Sequence, residues 1–281
     1  MIKNILVAID GSEPADAARR YATSLALRLH AQLHIAHVVD ARMFDLPFLA
    51  PGAVQAPVQF AFSAVPSLQA LLTDRGRESL AAAAAKCEAE SLSPTTSLHI
   101  GNPAQVLSEI QSHYELVALG RQGDHFRQSP GMTGSTTDRF VRRACRPVLV
   151  VPAIAELPDR IIAPVDGSPH GYRALQVAAE LANALAVPLV ILAVAENPDD
   201  RPRAEALATE AHSLVRAHEC AAATLVDEGA PASRILEAAA QTPSPLVVMG
   251  AYGHGWIYER LIGSTAARIL AACPTPVLFV L

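Results

Sequence analysis

Lysine is nearly missing from this 281-residue chain: Lys3 and Lys86 stand against 20 arginines. Neither lysine follows a glycine, so there is no Walker-A phosphate loop. Chemistry that depends on a covalent lysine is nearly excluded as well. Cysteine is scarce and scattered. Cys87, Cys145, Cys220 and Cys273 form no CxxC pair and no zinc spacing, which argues against a disulfide framework or a structural zinc. Charge is sparse too, at 17% of residues with a formal net charge of −5. A general nucleic-acid binder would carry a basic balance or a basic stripe, so no nucleic-acid partner is expected. The opening MIKNILVAID has one lysine and a short apolar run broken by Asp10, too little for a secretory signal. The uncharged stretch Leu46–Thr73 is long enough to span a bilayer. It holds Pro47, Pro51, Pro57 and Pro66, which would break a continuous helix repeatedly. It reads as a loop running into a helix, with no membrane insertion, in a cytoplasmic protein. What the chain has is apolar material: 51% of residues, ample for a packed core.

The chain also repeats itself. ILVAIDGSEP at Ile5–Pro14 returns as IIAPVDGSPH at Ile161–His170, an offset of 156. GNPAQVLSEI from Gly101 returns as GAPASRILEA from Gly229, an offset of 128. LVALGRQG ending at Gly123 returns as LVVMGAYG ending at Gly253, and TGSTTDRF from Thr133 returns as IGSTAARI from Ile262. Two copies of one domain follow, roughly 1–153 and 157–281, joined by the linker Ala155–Leu157. The drop in offset from 156 to 128 assigns the first copy an insertion, most simply Ala41 to about Pro66, with Phe44, Phe48, Phe60 and Phe62. A flap packed on its own domain or at a chain–chain contact is the plain reading of this segment. A lid over the first pocket is the sharper one.

Within each copy apolar strands alternate with helices. Strands are expected at Ile5–Ile9, Gln32–Val39, Thr95–His99, Leu116–Leu119 and Val148–Val151. Their counterparts are Ile161–Val165, Pro188–Ala195, Ala223–Asp227, Leu246–Met249 and Val277–Val280. Helices are expected at Pro14–Leu29, Leu68–Ala89, Ala104–Ser112 and Ser135–Ala144, then at His170–Leu185, Arg203–Cys220, Ala232–Ala240 and Ser264–Ala272. This is an α/β pattern: two tandem doubly wound domains, each a five-stranded parallel sheet flanked by helices. Ligands in such folds sit beyond the carboxyl ends of the strands, where strand order switches.

Two features point to that crevice. In the second copy Gly250 and Gly253 follow a strand directly, and Gly263 and Ser264 open a helix, whose free N–H groups and dipole favour an anion. Ser264 as a simple N-cap is the competing reading. Asp10 and Asp166 each end a first strand before Gly-Ser. A carboxylate there can accept hydrogen bonds from a ribose or an adenine amino group, or it can cap the next helix.

These residues resemble the universal stress protein family, and the resemblance covers nearly the whole chain twice. The family pattern Gly-x2-Gly-x9-Gly-Ser/Thr is met by Gly250, Gly253, Gly263 and Ser264, together with Asp166. The first copy departs from it, with ten residues between Gly123 and Gly134. The resemblance implies an adenine nucleotide alpha hydrolase-like fold that binds ATP, with or without Mg. It implies contacts from Asp166, Val194, Gly250, Gly253, Gly263, Ser264 and Thr265 in the second copy. In the first copy it implies Asp10, Val38, Gly120, Gly123, Gly134, Ser135 and Thr136. It also implies pairing through the last strands, giving an intrachain pseudo-dimer, with association of two chains as a further step. The leading function is a nucleotide-dependent switch in stress response or signalling. The alternatives are a slow ATP hydrolase or phosphotransferase, drawing on Asp124, His125 and Arg127, and a small-ligand module that has lost nucleotide in one or both domains.

Other signals are set aside. His30, His34 and His37 look like a metal cluster, but His34 and His37 face opposite sides of a strand. His99-Ile-Gly-Asn resembles the HxGH signature of nucleotidyl transferases but follows the wrong strand and lacks the second histidine. Cys145 and Cys273 are expected as small buried residues before the last strands. The run Ala81–Ala85 is expected as a close-packed helix face.

Overall fold

The computed structural model describes residues 2–44, 58–123, 133–252 and 262–281, the stretch 58–65 by its backbone alone. The first copy contributes strands β1 (Asn4–Ile9), β2 (Gln32–Asp40), β3 (Thr95–Gly101), β4 (Leu116–Gly120) and β5 (Val148–Val151). Its helices are α1 (Glu13–Leu29), α2 (Val58–Ala89), α3 (Pro103–Ile110) and α4 (Ser135–Val141). The second copy contributes β6 (Arg160–Val165), β7 (Leu189–Ala195), β8 (Ala222–Glu228), β9 (Pro245–Gly250) and β10 (Val277–Val280). Its helices are α5 (Pro169–Leu185), α6 (Arg201–Val215), α7 (Pro231–Gln241) and α8 (Ser264–Ala272).

All ten strands form one sheet in the order β3-β2-β1-β4-β5-β10-β9-β6-β7-β8. Every pairing within a copy is parallel, and equivalent strands share a register: Ile5 faces Leu33 as Ile161 faces Leu189. The copies meet where β5 and β10 pair antiparallel, with Leu149 opposite Leu278. Continuous apolar runs fit this sheet because helices cover both of its faces. One core, with Leu149 and Leu278, lies under α1, α2, α5 and α6; the other, with Val148, Val150, Val277 and Phe279, lies under α3, α4, α7 and α8. Both cores therefore run across the seam.

Each copy starts its first helix in the same way. Ser12 and Ser168 take extended backbone angles and accept hydrogen bonds from Ala15 N–H at 3.3 Å and Gly171 N–H at 3.0 Å. Proline follows in the first turn, where its missing N–H costs nothing. Both helices end on a left-handed residue, His30 and Ala186.

Several expectations are corrected. The inserted segment is not a loop as far as Pro66. Residues Ala41–Phe44 make a 3-10 turn, and α2 begins at Val58 and runs through Pro66. Pro66 removes only one backbone hydrogen bond, and the long helix continues past it. Residues 45–57, with Phe48, lie outside the described residues. In the run Ala81–Ala85 only Ala83 is buried, packing with Leu80 and Cys87; Ala81, Ala82 and Ala85 face solvent, because just one stripe of α2 meets the sheet. Cys273 is buried, but Cys145 is exposed. The preceding Ala144 fills the core position, and the Cys145 N–H turns to Gln111 Oε1 at 2.8 Å. The histidines separate as expected. His34 bonds Thr95 Oγ1 and Ser97 Oγ, both at 2.7 Å, on one face of β2, while His37 packs against Gly76 of α2 on the other.

Candidate functional site

The site is built at the carboxyl ends of β1 and β4, and of β6 and β9. Strand order switches there, because the chain leaves the central strand for opposite edges. Asp10 follows β1, and its Oδ1 accepts the Ser12 N–H at 2.9 Å; Asp166 follows β6 and holds the Ser168 N–H at 2.9 Å through the same atom. Gly11 and Gly167 sit between with φ of +87° and +80°, angles that side chains rarely adopt. Both aspartates are exposed at the crevice. The helix caps are the serines, and the aspartates act as turn-holders.

In the first copy the loop and the aspartate meet. A Cβ placed on Gly123 would lie 2.8 Å from Asp10 Oδ2. Gly120 packs on the start of α1, where a Cβ would come within 2.8 Å of the Pro14 backbone. The loop's neck is closed by Gly134 N–H bonding Arg121 O at 2.7 Å, and Thr137 Oγ1 donates to Gly120 O at 2.7 Å. Ser135 is exposed and Thr136 half-buried at the start of α4. Val38 sits half-buried on β2, opposite His99. Asp124, His125 and Arg127 lie outside the described residues.

The second copy reproduces this frame. Gly250 packs on α5, with a Cβ position 3.0 Å from the His170 carbonyl carbon and 3.1 Å from Gly171 N. A Cβ on Gly171 would in turn sit 2.5 Å from Asp166 Oδ1, so strand end, aspartate and helix start are contiguous. The neck closes by Gly263 N–H to Ala251 O at 2.9 Å. Gly263 is the N-cap of α8 and makes no side-chain cap bond. Ser264 is thus the first helical residue, exposed, with Thr265 half-buried behind it. The uncapped N–H groups of that turn are free for an anion. Val194 on β7 is half-buried opposite Asp227. Gly253 lies outside the described residues.

Sequence reasoning missed four residues here. His170 and Tyr252 pack edge to face at 5.3 Å beside Gly250, and the His170 Nδ1 is buried without a partner. Burial raises the Tyr252 phenol above its ordinary pKa, so it stays a proton donor. Arg121 and Thr133 flank the first loop's neck and reach into the second copy, to Cys273 O and Leu270 O. The signal for all four was the mismatch between aligned repeats: Pro14 for His170, Gln122 for Tyr252, Ala251 for Arg121 and Ile262 for Thr133.

Taken together these features define a tandem α/β protein with paired strand-end aspartates and glycine necks at a sheet switch point. The family model for the universal stress protein family matches residues 1–152 and again 158–280, and the chain belongs to that family. It is 25% identical over 289 residues to universal stress protein Slr1230 of Synechocystis, covering 99% of both chains. It is 28% identical to universal stress protein Rv2005c of Mycobacterium tuberculosis, over 98% of this chain and 95% of that one. A universal stress protein from Archaeoglobus fulgidus shares the fold, with a TM-score of 0.74 at 18% identity over 99% of this chain and 97% of that one. No described helix is long and apolar enough to cross a membrane.

Proposed function

We propose that the chain binds an adenine nucleotide, ATP first, and acts in stress response as a switch whose partners read the bound state. One observation carries this reading. Asp10 and Gly123, 113 residues apart, come within contact of each other at the switch point, and the same frame recurs around Asp166 and Gly250. A carboxylate that accepts from a ribose or an adenine amino group then lies beside a helix start that favours phosphate. The donor set suits a nucleotide, because the uncapped first turn of α8 supplies N–H groups without needing a lysine. When bound, Mg would neutralise part of the phosphate charge.

In this reading Asp166, Val194, Gly250, Gly253, Gly263, Ser264 and Thr265 make the stronger site, because only that loop has the family spacing. Asp10, Val38, Gly120, Gly123, Gly134, Ser135 and Thr136 make the weaker one. Gly263→Asp would put a charge where the phosphate lies. Isothermal titration with ATP should then lose the tighter of two binding events. Unchanged affinity and stoichiometry would remove the second copy as the nucleotide site. Mass spectrometry of the material that co-purifies identifies the ligand, and turnover of labelled ATP separates a switch from a slow hydrolase.

A further inference from the structure

Helix α8 has two ends with different neighbours. Its amino end, Gly263–Thr265, belongs to the second candidate site. Its carboxyl end touches the first copy. The last helical bond runs from the Cys273 N–H to Ile269 O at 2.9 Å, leaving the carbonyls that follow without helical partners. Two of those carbonyls are satisfied from the other copy. Thr133 Oγ1 donates to Leu270 O at 3.0 Å, and an Arg121 guanidinium N–H donates to Cys273 O. Arg121 and Thr133 are the two arms of the first glycine loop's neck, tied together by the bond between Gly134 N–H and Arg121 O.

The contact has electrostatic sense. Arg121 is a half-buried cation that makes no ion pair with a carboxylate among the described residues, and its Nε is buried without a partner. Burial lowers its pKa below the ordinary guanidinium value, and it faces the negative end of a helix dipole, where a cation is favoured. The arrangement is not reciprocal. Ala251 and Ile262 occupy the equivalent positions in the second copy; neither side chain can donate, and both are buried in the apolar core. The end of α4 closes on itself instead, with Arg143 N–H bonding Phe140 O at 2.9 Å.

We propose that the neck of the first glycine loop is the carboxyl-terminal cap of α8 and that it couples the two candidate sites through this helix. The coupling rests on the nucleotide reading; the cap does not. A phosphate held at Gly123 and Gly134 fixes the neck, and the neck fixes α8. A second nucleotide then meets a helix already anchored, and less ordering opposes its binding. Occupation of the first site therefore strengthens the second.

Amide hydrogen exchange tests both parts on the full chain. Without ligand, Arg121→Met with Thr133→Val should raise exchange over Arg268–Cys273 about tenfold, with α4 unchanged. Thr133→Ser, which keeps the hydroxyl, should exchange like the original chain. Unchanged exchange in the double variant overturns the cap. A rise spread over every strand would mark general unfolding; the Thr133→Val single variant then decides, since equal exchange in Val and Ser variants also overturns the cap. For the coupling, Gly263→Asp blocks the second site and ATP is added. ATP should slow α4 and α8 together, and slow α4 alone once Arg121 and Thr133 are replaced. Slowing of α4 with no response in α8 overturns the coupling. No response at either helix in the otherwise unaltered chain refutes the nucleotide reading and the coupling together, and the ligand-free comparison still decides the cap.

Discussion

Gly120 and Gly123 are three residues apart, and a methyl group added to either would approach a neighbour to 2.8 Å, yet the two substitutions should behave differently. On Gly120 the methyl meets the carbonyl carbon and oxygen of Pro14 and, at 3.0 Å, Ala15 N. This is backbone at the capped start of α1, and it cannot turn aside. Overpacking of this kind costs about 1–3 kcal/mol. For a chain of this size that is a fall in Tm of roughly 2–12 °C. On Gly123 the methyl meets Asp10 Oδ2, the far end of a side chain. The carboxylate can rotate away, at the expense of its position in the crevice. Stability should change by less than about 1 kcal/mol, partly offset by the stiffer unfolded chain. On the proposed nucleotide reading, what is lost is a charged hydrogen bond to the ligand, about 1.5–3 kcal/mol, or roughly 10- to 150-fold in affinity. Scanning calorimetry and titration with ATP, with the second site blocked by Gly263→Asp, measure the two quantities separately. If Gly123→Ala lowers Tm as far as Gly120→Ala does and leaves ATP affinity untouched, Gly123 is a packing glycine and the reasoning fails.

Ser12→Ala and Ser168→Ala should each cost about 1 kcal/mol in urea unfolding, because each removes the acceptor for one buried first-turn N–H. Asp16 gives a pH dependence. Burial alone would raise its pKa, but Lys86 and Arg19 hold it below 3.8, so its contribution is complete above that value and is lost as pH falls through the lower folded pKa. Asp16→Asn should flatten the acid limb of the stability curve, and an unchanged limb below about pH 4 would contradict this. The lid reading of the insertion demands that deleting residues 45–57 change nucleotide affinity in the first copy and leave the second alone. A change only in oligomeric state, read by light scattering, would make the segment an interface element.

Most of the fold was legible because the strands are buried on both faces and so appear as unbroken apolar runs such as Ile5–Ile9 and Leu246–Met249. The repeat then doubled every signal. The register match of Ile5 with Leu33 and Ile161 with Leu189 is the spatial form of the offset of 156. What escaped the reading depended on which side of an element meets the core. Ala81–Ala85 looks uniformly apolar, but one stripe of α2 touches the sheet. Cys145 and Cys273 both precede a last strand, but Cys273 aligns with the buried Ala144 and Cys145 with the exposed Pro274. Pro66 looks like a helix stop in isolation, and composition alone did not indicate that α2 continues past it. At the site, Asp10 and Asp166 could be placed from the sequence, but a capping role could not be separated from a ligand-facing one. The structure gives the capping role to Ser12 and Ser168, and the aspartates accept the N–H groups of those serines.

Where the copies agree and where they differ carries the functional weight. The shared parts are backbone devices: the strand-end turns at Gly11 and Gly167, the neck bonds at Gly134 and Gly263, and the serine caps. These hold the shape of a crevice whatever occupies it. The differing parts are side chains that reach out of that frame: Arg121 and Thr133 towards α8, His170 and Tyr252 towards each other. A duplicated pocket needs none of them to keep its geometry, since the opposite copy keeps the same neck with Ala251 and Ile262, or the same helix start with Pro14. Differences that the fold does not require are the places where two equal sites become unequal. In this chain they give the first loop a polar hold on the helix that opens the second.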